Sequence, residues 1–303
     1  MLSKAPATTV ARLGIVVHPT RSVKGPLEAI HGWAQRHGAQ IVQVQAPCEQ
    51  RPVATLGRAS DCDLIVAIGG DGTTLAAIRA GAAADRPVLG VACGSLGVLT
   101  TVDPDGIAGA IDRFGAGEWT PRRLPGLVIT RAEGPDLVAF NDLVVIRSGA
   151  GQLRLTAYLD GELFARIAGD GAIVSTPLGS TAYSLSAGGP LLTNGIEAFL
   201  LTPLPAQGGC FPPLLAGTQS ELRLMTEVAY SGWRLEIDGQ VADAVASGGS
   251  DSITVTMRSG AAVLVELDGQ ERLLEGLRRR RLIVDSPRIA AHDAAGSIRP
   301  AVR

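Results

Sequence analysis

The chain has 303 residues, enough for two domains of ordinary size with real interiors. Hydrophobic residues make up 46% and charged residues 18%, with 38 glycines, which excludes a disordered chain and points to a folded, turn-rich one. A formal net charge of −2 excludes a global positive field that would draw nucleic acid or an anionic membrane.

Near the N-terminus, the apolar patch Leu13 to Val17 is broken by Gly14 and is too short for a signal-peptide core. No apolar run approaches the roughly 18 to 20 residues that a bilayer span requires. A soluble, cytoplasmic protein without membrane or nucleic-acid partners is expected. Leu13, Ile15, Val16 and Val17 predict a short buried strand. Pro26 then starts a helical pattern with Leu27, Ile30, Trp33 and Ala34 on one face, and Gly38 is a good stop. Ile41, Val42 and Val44 predict a second strand, and Leu64 to Ile68 a third with no polar residue inside it. Thr74 to Ala84 is alanine-rich and helical, and Pro87 to Val91 is a fourth strand. Asp103 and Pro104 suit an N-cap and first helical position, opening a helix with Ile107, Ala110, Ile111 and Phe114 inward. Continuous apolar strands separated by helices imply a parallel sheet covered on both faces.

The pattern changes near Pro121. Leu153 to Leu159 and Leu163 to Ile167 flank Asp160-Gly161, a strong hairpin signal, and Leu235 and Ile237 precede a second turn at Asp238-Gly239. Ile253, Val255 and Met257 alternate, as do Val263, Val265 and Leu267. The expected fold class is therefore an α/β N-terminal domain with a parallel sheet (1–120), followed by a β-rich, antiparallel, sandwich-like domain (121–270). A last helical pattern runs from Glu271 to Leu282, and a loose tail is expected over 286–303. The Arg278 to Arg281 run reads best as a solvated helix end.

Cys48, Cys62, Cys93 and Cys210 form no C-x-x-C pair and match no zinc spacing, so free thiols are expected. Histidine occurs at 18, 31, 37 and 292 only, which excludes a Ser-His-Asp machine in the middle of the chain unless His18 or a tail residue supplies the base. His18 follows the first strand and could touch a ligand at the sheet's C-terminal edge; a loop histidine without a role is the blander reading.

Two segments carry chemistry. Gly69-Gly70-Asp71-Gly72-Thr73 ends the third strand and opens a helix, where open α/β sheets bind ligands. Glycines let the backbone approach a phosphate, and the helix N-terminus favours an anion. A carboxylate at that spot makes sense if it handles a proton or a metal, and a general base for a hydroxyl fits. The alternative is that Asp71 only holds the turn. The P-loop pattern G-x-x-x-x-G-K-[ST] is absent. The second segment is Gly169-Asp170-Gly171, then Ser175-Thr176-Pro177-Leu178-Gly179-Ser180-Thr181-Ala182-Tyr183-Ser184, then Ser186-Ala187-Gly188-Gly189-Pro190. Small residues open a cleft, hydroxyls and exposed N–H groups bind ribose and phosphate oxygens, and Tyr183 can flank a base.

Together these segments resemble the NAD kinase family, in which the donor is ATP or polyphosphate. Lipid kinases share the GGDGT loop but not the STP-x-GSTAY run. The similarity extends from Gly14 to about Leu282. It includes Asn141-Asp142, a weakened G-x-L-G-F-L loop at Gly94 to Leu99, Asp238-Gly239-Gln240 and the closing Leu277 to Arg280 helix. The resemblance implies that Asp71 deprotonates the 2′-hydroxyl of the adenosine ribose of NAD. Gly69, Gly70, Gly72 and Thr73 would hold the donor phosphates with Mg²⁺, and no metal would be held by the protein alone. Asn141 and Asp142 would contact the dinucleotide, Thr181, Ala182, Tyr183 and Ser186 would line its adenine and ribose pocket, and Gln240 would lie near the site. Asp170 would reach an NAD bound mainly by a neighbouring subunit of a homodimer or homotetramer. The last helix would return to the first domain.

Several positions depart from the family pattern. Its Asn-Glu is Asn141-Asp142 here, its basic residue two places before the Gly-Asp-Gly aspartate is Ala168, and its Pro-His is Ala206-Gln207. Its Arg-Pro is Pro212-Pro213, and the asparagine leading into the G-x-L-G loop is Ala92. These changes leave two alternatives open: a kinase of this fold acting on another nucleotide, nucleoside or metabolite hydroxyl, and a catalytically silent NAD(P)-binding regulator.

Overall fold

The computed structural model describes residues 6–94, 97–100, 102–193, 195–209, 211–228, 232–245, 251–267 and 273–289. Ser95 and Leu96 of the G-x-L-G loop, Cys210, and most of the segment expected to be a loose tail lie outside the described residues.

The first half builds a parallel sheet from β1 (Arg12–Val17), β2 (Gln40–Val44), β3 (Leu56–Gly57), β4 (Leu64–Gly69) and β5 (Val88–Ala92), ordered β5-β4-β1-β2-β3. Successive side chains of a strand point to opposite faces, so the unbroken apolar runs of β1 and β4 serve two cores. Leu13, Ile15, Val17, Leu64, Val66 and Ile68 meet α1 (Lys24–His37) and α3 (Ile107–Gly115) on one face. Val16, Ile65 and Ala67 meet Leu75, Ala77 and Ile78 of α2 (Asp71–Ala84) on the other. Helix α1 ends where Gly38 adopts a left-handed φ of 67°. Its Trp33 donates from Nε1 to Asp112 Oδ1 of α3 at 2.6 Å, tying the two helices together. Asp103 makes no side-chain cap bond, and Pro104–Gly106 form a 3₁₀ turn before α3; the predicted N-cap is thus a backbone turn, closed by Gly106 N–H donating to the Asp103 carbonyl.

The second half is antiparallel. Its strands are β6 (Thr120–Arg131), β7 (Leu137–Ala139), β8 (Asp142–Arg147), β9 (Leu153–Leu159), β10 (Glu162–Gly169), β11 (Gly171–Ser175), β12 (Ala198–Pro203), β13 (Leu214–Gly217), β14 (Leu222–Val228), β15 (Trp233–Ile237), β16 (Gln240–Val245) and β17 (Asp251–Glu266). One sheet runs β13-β12-β11-β8-β15-β16. The others extend the first sheet in the order β10-β9-β14-β17-β5, with β6 also paired to β17. The inner faces share one core in which Leu143, Val145, Val174 and Trp233 pack with Ile129, Leu155, Leu224 and Val255, so this half is a sandwich. Both Asp-Gly turns form, with φ of 51° and 84° at Asp160 and Gly161, and of 52° and 76° at Asp238 and Gly239. Strand β17 links the two halves: Ile253 pairs with β14 and Leu264 with β5. Beyond an irregularity between Arg258 and Ala262 both faces of β17 are covered: Val265, with Leu267 packed beside it, joins one core as alternation suggests, Ala262 and Leu264 join the other, and Val263 is half-buried.

By contacts the chain divides into residues 1–268 and 269–303. The second unit contains α5 (Leu273–Arg279), which ends before the predicted Leu282, while the predicted start at Glu271 lies outside the described residues; Arg278 Nη2 donates to both carboxylate oxygens of the exposed Asp285 at 2.8 and 2.7 Å. Among the described residues no helix is long and apolar enough to cross a membrane.

Candidate active site

The Gly69 to Thr73 turn lies at the C-terminal edge of the parallel sheet, between β4 and α2. Gly70 is extended (φ −123°, ψ −168°) and Asp71 is the first helical residue. The first amides of a helix lack intrahelical partners and point outward with the positive end of its dipole. A Cβ on Gly69 would come within 2.4 Å of Thr73 Oγ1, so the helix can start this abruptly only from glycine. The turn lines a cavity of about 470 Å³ together with His18, Arg21, Arg79, Asp238 and Gln240.

Asp71 is half-buried, and its side chain reaches across to a different segment. Its Oδ2 accepts from Val98 N–H at 2.9 Å and its Oδ1 from Leu99 N–H at 2.9 Å. A carboxylate has about four acceptor positions, and these two bonds fix the plane of the group. A Cβ on Gly97 would sit 1.9 Å from Asp71 Oδ1. Gly97, Val98 and Leu99 thus form a socket for this side chain, a role that the sequence pattern alone did not state.

His18 also belongs to this cavity. Its Nδ1 accepts from the backbone N–H groups of Thr20 and Arg21 at 3.2 and 3.1 Å. Nδ1 therefore carries no proton, and the ring is the neutral tautomer with hydrogen on Nε2. Burial, then Arg21 and Arg51, lower its pKa and favour that neutral form. Arg21 is held in turn by a bond from Nη1 to the Cys93 carbonyl at 3.0 Å. His18 lines the cavity at the sheet's C-terminal edge, where its place after β1 suggested a ligand contact, and Arg21 and Arg79 are further donors there that motif reading did not assign.

The second segment lies against another cavity, of about 620 Å³, whose walls include Asp170, Tyr183, Ser186, Leu204, Ala206 and Phe211. The structure brings Asp170, Tyr183 and Ser186 to this cavity, and Asp71 and Gln240 to the first. Asn141, Asp142, Thr181 and Ala182 line neither of these two cavities. The Thr176 to Tyr183 run is built onto the Asn141 loop. Thr176 N–H donates to the Asn141 carbonyl at 2.9 Å, and Thr176 Oγ1 donates to the Phe140 carbonyl at 2.6 Å. Gly179 lies so close that a Cβ would sit 2.0 Å from the Asn141 carbonyl oxygen. Thr181 closes its own turn, with Oγ1 donating to the Leu178 carbonyl at 2.9 Å.

Two of the departures from the family pattern have a visible local setting. Asp170 is paired within the chain: Arg147 donates from Nε to Asp170 Oδ1 at 2.6 Å, and Arg147 N–H donates to the Asp170 carbonyl. A cation from β8 therefore stands beside Asp170 although Ala168 carries none. Gln207 accepts from Gln152 at 2.7 Å and does not face the cavity, while Phe211 supplies an aromatic wall that sequence reasoning missed.

Asp142 is 5% exposed. Burial, then the carboxylates of Asp238 and Glu236, push its pKa from an ordinary 3.8 to about 7. The folded state therefore binds this proton more tightly than the unfolded chain does, and the contribution of this group to stability falls as pH rises from about 4 to about 7. Asp142→Asn is expected to remove that fall and to stabilise the protein at pH 8 by roughly 1 to 3 kcal/mol. Urea unfolding of both proteins at pH 5 and pH 8 checks this; a variant less stable than the parent at pH 8 contradicts it.

Two family models match the chain: the ATP-NAD kinase N-terminal domain over residues 13–119 and the ATP-NAD kinase C-terminal domain over residues 141–267. An NAD kinase of Heliobacterium modesticaldum is 36% identical over 228 residues, covering 74% of this chain and 80% of that protein. An NAD kinase of Moorella thermoacetica is 34% identical over 240 residues, covering 78% of this chain and 76% of that protein. Among solved structures, yeast NADH kinase complexed with NADH superposes with a TM-score of 0.75 at 22% identity, over 93% of this chain and 89% of that one. An NAD kinase from Archaeoglobus fulgidus in complex with ATP gives 0.69 at 24% identity, over 90% and 100%. At these identities the structural likeness speaks for the fold.

Proposed function

The chain belongs to the NAD kinase family, and we infer from this that it transfers the terminal phosphoryl group of ATP to the 2′-hydroxyl of the adenosine ribose of NAD, giving NADP. The observation that carries the reading is the placement of Asp71: a carboxylate oriented by Val98 and Leu99, on the wall of the cavity that the glycine turn and helix N-terminus also line.

In this reading the α2 amides and Arg21 grip the donor phosphates, since N–H groups and guanidinium ions bind phosphate oxygens strongly. Asp71 accepts the proton of the attacking hydroxyl as its oxygen bonds to the γ-phosphorus. The bond to the β-phosphate oxygen breaks, and ADP leaves with the pair of electrons. Asn141, Asp142, Thr181, Ala182, Tyr183 and Ser186 form the dinucleotide's side of the site. Asp170 with Arg147 reaches an NAD shared with a neighbouring copy in a homodimer or homotetramer.

Among the described residues no three or more His, Cys, Asp or Glu side chains are grouped to hold a metal ion. Asp71 is the one carboxylate of the Gly69 to Thr73 turn, an oxygen donor of the kind that would suit Mg²⁺ brought in on the ATP phosphates. When bound, the ion neutralises charge on the transferring group.

An acceptor and donor panel tests the reading. Purified protein with Mg²⁺, ATP or polyphosphate, and NAD, NADH, mononucleotides or nucleosides is assayed for ADP and NADP. NADP formation with a strong preference for micromolar NAD is expected. Faster turnover of a mononucleotide or nucleoside would show that the altered acceptor side at Ala168, Gln207 and Pro212 has changed the substrate. Tight NAD binding without any transfer would make the chain a silent regulator.

A further inference from the structure

We propose that Asp238 and Arg79 form a strut that fixes the spacing between the helix carrying Asp71 and the loop carrying Asn141, making Asp238 a positioning residue for phosphoryl transfer. The proposal rests on the functional reading above.

Asp238 is the first central residue of the turn between β15 and β16. It holds a left-handed φ of 52°, which glycine adopts without steric cost and a side chain does not. A side chain is nevertheless present, and it is 2% exposed. Burying a carboxylate is expensive unless its lone pairs and charge are met. Here they are met in part, from two directions, with burial still pushing the carboxyl pKa up.

From one side come the backbone amides that lead into β8. Asp238 Oδ1 accepts from Asn141 N–H at 2.7 Å, from Phe140 N–H at 2.9 Å and, at a longer 3.3 Å, from Asp142 N–H. Asp238 N–H donates back to the Asp142 carbonyl at 2.9 Å. These partners are 96 to 98 residues away in sequence, so the side chain, not local chain geometry, holds the Asn141 loop to this turn.

From the other side comes α2. Arg79 Nε lies 3.8 Å from Asp238 Oδ2, with the arginine side chain only 19% exposed. Ion pairs at the surface contribute little, but one shielded from water is screened far less. Arg79 and Asp71 are both within α2, so a helix with a rise of 1.5 Å per residue joins them rigidly. Both strut residues line the cavity that Asp71 lines. One carboxylate is thus the common member of the Asn141 loop and the donor helix. A displacement of about 1 Å between reacting groups can cost on the order of 100-fold in rate, which is the reason to fix this spacing. The alternative role for Arg79 is direct grip on the donor phosphates, with Asp238 only closing its turn.

A double-mutant cycle separates the two. Arg79→Met, Asp238→Asn and the double variant are compared with the parent for kcat and for the KM of ATP and of NAD. Parent turnover in the same assay stands as the check on the functional reading itself, because a parent that forms no NADP fails that reading independently of the strut. The strut predicts that each single change lowers kcat by about 10-fold or more while the KM for ATP stays within about 3-fold, and that the double variant is no more than about 3-fold below the worse single one. Arg79→Lys, which keeps the charge without the planar fork, should recover part of kcat. A rise of about 10-fold or more in the KM for ATP on Arg79→Met at unchanged kcat, with effects that multiply in the double variant, would overturn the proposal. If Asp238→Asn melts too low to assay, Arg79→Met decides alone, because it leaves the Phe140, Asn141 and Asp142 amides bonded to Asp238; an unchanged kcat there refutes the strut.

Discussion

Asp71→Asn is expected to lower NADP formation by about 10³-fold or more while leaving ATP binding within a few-fold of the parent. Two physical effects add. The amide has no basic oxygen pair to take the hydroxyl proton. It also misfits its socket, because Val98 and Leu99 each offer an N–H to a different carboxylate oxygen. An asparagine turns an NH₂ group toward one of them, leaving donor against donor at a cost of about 1 to 3 kcal/mol. The variant should therefore lose some thermal stability as well as turnover. ATP affinity should persist because the α2 amides and Arg21 are untouched. Steady-state kinetics together with the ATP-induced rise in melting temperature read both halves of the prediction. A variant that forms NADP at a tenth of the parent rate would remove Asp71 from the role of base.

Gly97→Ala should come close to the same loss without altering a single titratable group. The added methyl carbon would lie 1.9 Å from Oδ1 and 2.4 Å from Cγ of Asp71. No real contact is that short, so either the carboxylate rotates or the loop retreats, and both break the bonds from Val98 and Leu99. Because a misplacement of about 1 Å can cost on the order of 100-fold, kcat should fall by about that factor. Gly97 is half-buried beside Leu99, which belongs to a core, so some thermal stability should be lost as well, as in Asp71→Asn. Loss of kcat with every titratable group left in place is the signature. An alanine variant with parental kcat would show that Asp71 does not need the orientation given by its socket.

The elements that position this site were legible because strong local rules set them. Leu64 to Ile68 holds no polar residue, so it had to be buried on both faces, and a buried parallel strand running into Gly-Gly-Asp-Gly-Thr places that turn at the binding edge of a sheet. Asp160-Gly161 and Asp238-Gly239 announced their hairpins because few other pairs accept positive φ at consecutive residues. The inward face of α3 was readable from Ile107, Ala110, Ile111 and Phe114, which recur at helical spacing and are all buried.

What was not legible depends on contacts between distant segments. Strand β3 is two residues long and too short to show any period. The register shift in β17 between Arg258 and Ala262 carries the strand into the first sheet, where Ala262 and Leu264 are buried on one face and Val265 on the other, and alternation alone carries no sign of it. Asp238 read as a turn former because Asp-Gly explains itself; nothing local hints that its carboxylate caps Phe140, Asn141 and Asp142 and faces Arg79. Arg147 stands beside Asp170 through strand pairing, not proximity in sequence, so the loss of a basic residue at Ala168 looked more severe on paper than it is in space. His18 was half-visible: its place after β1 was evident, but its tautomer depends on the Thr20 and Arg21 amides.

The central claim is that the Asp71 carboxylate, held by its loop socket, meets the hydroxyl that receives the phosphoryl group. A crystal structure of the protein with NAD and a non-hydrolysable ATP analogue tests this most directly. The account predicts the 2′-oxygen of the adenosine ribose within about 3.2 Å of an Asp71 oxygen, with the γ-phosphate against the glycine turn. A ribose hydroxyl lying beyond hydrogen-bond reach of Asp71, or a terminal phosphate seated away from Gly70 to Thr73, would contradict it.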